Sequence, residues 1–248
     1  MAKKQVSQER KARVAEMQRQ QSARERRTRL QIIAGCLVLL LVLAGVITYA
    51  VVDGRNQQPD NAIARMGVSA DAASCSAITN DPASGNGNHV GPGTNSPNVL
   101  TVKYATVPPS YGEHFAQPDL SGRKFFTQAD VPHVETLVHN LEHGYTVLWY
   151  DPTVPAAKAT LLKDLADKAN QTSWAKDKFL VAPWDAKYGA FPAGKSYALS
   201  HWAATTKADG TVASQAGHRQ LCGDVSGEVV QQFIQKFPRT DAPEPNAA

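Results

Sequence analysis

The sequence predicts a single compact extracytoplasmic domain of α/β or α+β class behind one N-terminal transmembrane helix. Three observations lead there. The run IIAGCLVLLLVLAGVITYAVV, Ile32 to Val52, holds no charged residue. At about 1.5 Å rise per residue it covers a hydrocarbon core of about 30 Å. The segment before it is strongly basic: ten Lys/Arg against three Glu leave Met1–Arg29 at +7. Beyond the run, strand-like and helix-like segments alternate, as in mixed layers of sheet and helix.

Lys and Arg at that density hold a segment on the cytoplasmic side, so the N-terminus is expected inside and the rest outside. The boundaries read as a basic cytoplasmic tail at 1–29, a transmembrane helix at 30–52 and a polar linker at 53–62. The extracytoplasmic domain follows at 63–240, with a tail at 241–248. A cleaved signal has a shorter apolar region, about 7–15 residues, and a small-x-small cleavage site. Thr48–Asp53 offers only a poor one, so the anchor is read as retained. The tail contains no Gly or Pro and its helix formers suit partial helix along an anionic leaflet. Membrane lipid is thus the expected partner. Nucleic acid is not: the tail has no aromatic residue, and removing its +7 from the formal +4 leaves the outer part at −3.

Two cysteines lie outside, Cys75 and Cys222. In an oxidising compartment they are expected to pair, closing a long loop, with two thiolate metal ligands as the competing reading. No Cys-x-x-Cys is present, so a thioredoxin-type redox centre is not supported.

The elements follow in chain order. Ile63–Ser69 reads as a short helix. Asn80–Pro97, dense in Gly, Pro and Asn, reads as a surface loop. Asn98–Tyr104 has the β-branched and aromatic residues of a strand, and Val107–Gly122 is irregular. Asp130-Val131-Pro132 reads as a helix start with Asp130 as N-cap. Val134, Leu137, Val138 and Leu141 then repeat at helical spacing, and Gly144 stands where a C′ glycine would. Tyr145–Tyr150 and Lys178–Trp184 read as strands, with Ser196–Ala204 as a third. Pro155–Asn170 reads as an amphipathic helix with Leu161, Leu162 and Leu165 inward. Ser226–Phe237 forms a last helix stopped by Pro238, and the Pro- and Ala-rich end is expected to fray.

The chemistry concentrates in His139-Asn140-Leu141-Glu142-His143-Gly144. At about 100° per residue, both imidazoles, Glu135 and Glu142 fall on the side away from the apolar stripe. Two His at i and i+4 sit one turn apart and can grip one metal ion. Three readings stay open. The two His can simply bond the last carbonyls and favour the helix dipole. They can bind a metal, with Glu142 as ligand or support and His114, from the rigid Pro108–His114 loop, as preferred third imidazole. Such a donor set suits Zn or Cu. Or the His-x-x-Glu-His order marks a zinc hydrolase, with Glu142 activating water and Glu228 as the conceivable further ligand. His89, His133, His201 and His218 matter only if they converge on the same place. No Gly-x-Ser-x-Gly or phosphate-binding loop motif occurs, and the catalytic residues are unknown. The metal candidates are therefore His139, His143, Glu142 and His114. A non-catalytic scaffold is the alternative. It predicts an exposed apolar or aromatic patch around Trp184, Tyr188 and Phe191 and a cell-envelope protein partner.

An ordered set of segments carries a resemblance. Pro-Pro-x-x-Gly-x-His at Pro108–His114 precedes His-x-x-Glu-His-Gly and a strand ending Trp-Tyr-Asp-Pro, His139–Pro152. Val181–Pro183, the Trp-bearing Ser196–Ala203 and Ala242-Pro243-Glu244-Pro245 follow. The chain resembles, over roughly Ala70–Pro245, the domain of unknown function 3105 family of bacterial single-pass membrane or exported proteins. That family often has Ser where this chain has Tyr111. The resemblance implies one external domain behind an anchor and no assigned activity.

Overall fold

The computed structural model describes residues 2–209 and 211–247, so Met1 and Ala248, the outer ends of the two predicted tails, lie outside the described residues. The chain divides into two compact units, Met1–Gln57 and Gln58–Ala248. The first is one rod. Helix α1 runs Ala2–Ala64, so residues 53–62, read as the linker, are helical. Its stretch Arg19–Val52 is long and apolar enough to cross a membrane, and its apolar 18-residue window is not buried within the protein.

The second unit is a mixed α/β fold on a five-stranded sheet. Its strands are β1 (Thr79–Pro82), β4 (Thr146–Tyr150), β5 (Phe179–Pro183), β6 (Tyr197–Thr206) and β7 (Val212–Cys222), in the order β1-β7-β6-β4-β5. Only β4 and β5 run parallel, and helix α3 (Ala157–Ala169) makes the crossover between them. A parallel neighbour has to be reached by such a connection, whereas β6 and β7 form a hairpin. A separate pair, β2 (His89–Val90) and β3 (His114–Phe115), runs parallel beside helix α2 (Val134–Glu142).

The sheet is covered on both faces, which explains why β4 and β5 are apolar without interruption. Successive side chains alternate between two cores. Leu148, Tyr150, Phe179, Val181, Tyr197 and Leu199 face Leu162 and Leu165 of α3 and Val229, Val230 and Phe233 of helix α4 (Gly227–Lys236). Val147, Trp149, Leu180, Ala182 and Trp202 face Val134, Leu137, Val138 and Leu141 of α2. Ser226 caps α4, accepting from the Val229 N–H at 3.4 Å.

Several expectations need correction. Asn98–Tyr104 is not a strand. The Val102 N–H donates to the Glu135 carboxylate at 2.8 Å instead of to a neighbouring strand, and Val102 and Tyr104 reach the core from irregular backbone. Asp130 does not cap α2. Its carboxylate accepts from the Thr127 N–H and hydroxyl and pairs with Arg123, and His133 occupies the cap without a side-chain bond. Ile63 and Ala64 close α1 rather than open a new helix. Of the residues expected in an aromatic patch, Trp184 is buried against Trp149, while Tyr188, whose hydroxyl donates to Glu135 at 2.6 Å, and Phe191 are half-buried. Among the described residues, 241–244 are tied to the domain. Ala242 is buried, Asp241 accepts from His201 at 2.8 Å, and the Glu244 N–H donates to the Glu142 carbonyl at 3.0 Å.

Cys75 and Cys222 form a disulfide across a sequence separation of 147 residues. It ties the segment before β1 to the end of β7. Cys75→Ala/Cys222→Ala is expected to lower unfolding free energy by about 2–5 kcal/mol, read by urea denaturation; an unchanged midpoint would mean the bridge adds nothing.

Candidate metal centre

The last turn of α2 and two loops build the site. His139, Glu142 and His143 sit at i, i+3 and i+4, and therefore share one side of the helix. That side is as buried as the apolar one. Glu142 and His114 are fully buried, and His139 and His143 are 4 % and 7 % exposed. The covering comes from the Gly-rich segment around Gly87–Val90 and from β3. Gly144, at φ 85°, turns the chain out of the helix, and its N–H donates to the Leu141 carbonyl at 3.1 Å. Asn140 ties the next loop down: its amide oxygen accepts from the Asp119 N–H at 2.9 Å and its NH2 donates to the Asp119 carbonyl at 3.1 Å.

Ring orientation follows from the partners. His114 Nδ1 lies 2.8 Å from the Gly112 carbonyl and His139 Nδ1 lies 2.6 Å from the Phe115 carbonyl. A carbonyl only accepts, so each Nδ1 carries the proton and, in the neutral ring, each Nε2 presents a lone pair. That of His114 faces Glu142, and that of His139 accepts from His143 Nε2 at 3.0 Å. Metal-binding imidazoles are commonly oriented by this kind of bond from the distal nitrogen. Burial pushes His139 down to about 4; the Phe115 carbonyl opposes this, while His114 and His143 add to it. The ring is therefore neutral at physiological pH.

Glu142 stands beside both rings. Its Oε1 accepts from the Gly87 N–H at 2.6 Å. Its Oε2 stands 3.0 Å from His114 Nε2 and 4.0 Å from His139 Nε2. The His114 contact is within ion-pair reach, yet both atoms are buried and their angles make no hydrogen bond. Burial, the largest influence, pushes the Glu142 carboxyl up. His114, the Gly87 N–H and His139 together outweigh it and leave the carboxyl below its ordinary value. His143 Nε2 lies 3.0 Å from His139 Nε2 and 3.5 Å from Glu244 Oε2. His89, paired with His114 in the short ladder, stacks on His139 with ring centroids 5.0 Å apart.

All four predicted metal candidates meet here. Ligand atoms of His89, His114, His139 and Glu142 all lie within 4.8 Å of one another, and so do those of Glu142, His143 and Glu244. A tetrahedral ion with bonds of about 2.0–2.1 Å has donors about 3.3 Å apart, and His114 Nε2 with Glu142 Oε2 at 3.0 Å comes near that spacing. His89, expected to matter only if it converged here, does so from a stretch whose composition says loop, and Glu244, which was not foreseen, comes from one that reads as a loose end. Glu228 does not join them: it lies on α4, across the sheet, and accepts from Gln232 at 3.2 Å. His201 and His218 also belong to the α4 side, where both stack on Phe237.

Fold and site together define a mixed α/β domain with a buried His/Glu cluster at one helix end. The chain belongs to the family described as protein of unknown function, DUF3105, whose model matches residues 97–248. That match contains His114, His139, Glu142, His143 and Glu244, while His89 precedes it. No curated protein and no solved structure matches the chain.

Burial also holds His218 down to about 4, with His201 adding to it. Metal-free protein should therefore lose stability as pH falls from about 6.5 to about 4. In that window the unfolded chain binds protons that folded His139 and His218 refuse, at up to about 1.4 kcal/mol per pH unit for each. Urea midpoints at stepped pH should show this slope, made shallower by His218→Gln; an unchanged slope in the variant would contradict it.

Proposed function

We propose that this chain is a membrane-anchored metal-binding protein that holds a zinc or copper ion through His114, His139, Glu142 and His143. One observation carries the reading. A buried imidazole nitrogen and a buried carboxylate oxygen face each other at 3.0 Å with no hydrogen bond between them. Buried polar atoms in that relation are costly unless a cation or proton joins them. His139 Nε2, which accepts from His143 Nε2 at 3.0 Å, lies 4.0 Å from the same carboxylate oxygen, so further imidazole nitrogens stand beside the pair. Imidazole with carboxylate suits Zn²⁺ or Cu²⁺.

Glu142 takes the part of a ligand in this reading. One of its oxygens accepts from the Gly87 N–H and the other faces the two imidazoles. The anchor places the centre. α1 crosses the membrane with its basic end in the cytoplasm, and the His/Glu domain works outside, where Cys75 and Cys222 stay oxidised.

Two measurements test this. Full-length protein purified in detergent and loaded with Zn²⁺ should retain metal through gel filtration, by elemental analysis. A folded His139→Ala/His143→Ala variant should lose it; equal metal in both would sink the assignment. In spheroplasts, added protease should remove the domain and spare an N-terminal tag. The opposite pattern would reverse the topology.

A further inference from the structure

We infer that the centre takes two metal ions bridged by Glu142, a deep one among His89, His114 and His139 and an outer one between His143 and Glu244. This rests on the metal-binding reading and goes beyond it in number, placement and exposure.

Donor count is the first argument. Six His and Glu side chains converge among the described residues, in two sets that share only Glu142. A tetrahedral ion takes four donors. Contacts run in sequence: His114 to Glu142 at 3.0 Å, Glu142 to His139 at 4.0 Å, His139 to His143 at 3.0 Å and His143 to Glu244 at 3.5 Å. A chain of donors, rather than a single shell, suits two ions about 3.5–4 Å apart on a shared carboxylate.

The shared carboxylate is the second. Glu142 is fully buried, and its Oε2 faces the cluster without a hydrogen bond. A carboxylate has about four lone-pair sites and can serve two cations at once.

Glu244 is the third, because it is delivered rather than merely nearby. Its own N–H donates to the carbonyl of Glu142 at 3.0 Å, just after Ala242 is buried and Asp241 is bonded to His201 at 2.8 Å. The two positions also differ in access. The His114 and Glu142 side chains are fully buried, whereas those of His143 and Glu244 are 8 % and 47 % exposed. The outer ion has three protein ligands and a side toward solvent, the coordination that leaves a position for water or a small anion.

The test uses full-length protein in detergent, loaded with Zn²⁺ and cleared of loose metal by gel filtration. Elemental analysis should give two equivalents per chain, and zinc-edge X-ray absorption should show a metal–metal distance of about 3.5–4 Å. Glu244→Ala, with unchanged circular dichroism, should keep one equivalent and lose that distance, and Glu244→Gln should fall to the same value. One equivalent in the parent, unaffected by Glu244→Ala, would overturn the second ion and leave the single-ion reading intact. Two equivalents in Glu244→Ala, or two in the parent without a metal–metal distance, would overturn the assignment. No metal in the parent would overturn both readings.

Discussion

A helix buried on every side has to find partners for whatever polar groups it carries, and α2 is such a helix. Of its residues, Glu135, His139, Asn140 and Glu142 are polar and buried together with Val134, Leu137, Val138 and Leu141. An unpaired buried polar group costs about 1–3 kcal/mol, and a charged one more. Much of the surrounding architecture answers that requirement. Glu135 takes the Val102 N–H and the Tyr188 hydroxyl, Asn140 takes both backbone groups of Asp119, and Glu142 takes the Gly87 N–H. Irregular segments distant in sequence are thereby fixed on one helix. What remains unanswered is local: His114 Nε2 and Glu142 Oε2, facing each other.

The fold supports that arrangement from behind. α2 lies on a sheet whose strands are covered on both faces, and Trp149, Trp184 and Trp202 fill the layer beneath it. Trp202 also packs against the His114 ring at 5.9 Å between centroids. The site is thus set on a well-packed base, and its ring positions are held by backbone carbonyls rather than by mobile side chains. The end of the chain closes over it. Gly144 is required there because a side chain would strike the Arg239 carbonyl, so the turn after α2 and the C-terminal segment are fitted to each other.

The legible parts of this protein are those where periodicity reports burial. α3 and α4 show clear apolar faces, and β4 and β5 are short apolar runs, so their existence and type follow from pattern alone. β7 does not. Val212–Cys222 reads VASQAGHRQLC, with small and polar residues that favour no strand, and it becomes one because the whole segment pairs with β6. Asn98–Tyr104 shows the converse: good strand residues without a partner edge, drawn into the core from irregular backbone. In the site, His139, Glu142 and His143 were visible as a spacing on one helix, and His114 as a histidine in a stiff loop. His89 and Glu244 were not, because each is brought in by backbone contacts that leave no mark in its own neighbourhood.

By itself the sequence determined the apolar run with its basic flank, the cysteine pair, the alternating elements and the helical spacing of the two imidazoles. These are local properties, set by burial and by the 3.6-residue period. The tertiary structure alone decided that the polar side of α2 is buried, which nitrogen of His114 and His139 is turned inward, and that residues 89 and 244 meet near residue 142. Those outcomes depend on where non-local backbone carbonyls and N–H groups come to rest, and no local pattern encodes that.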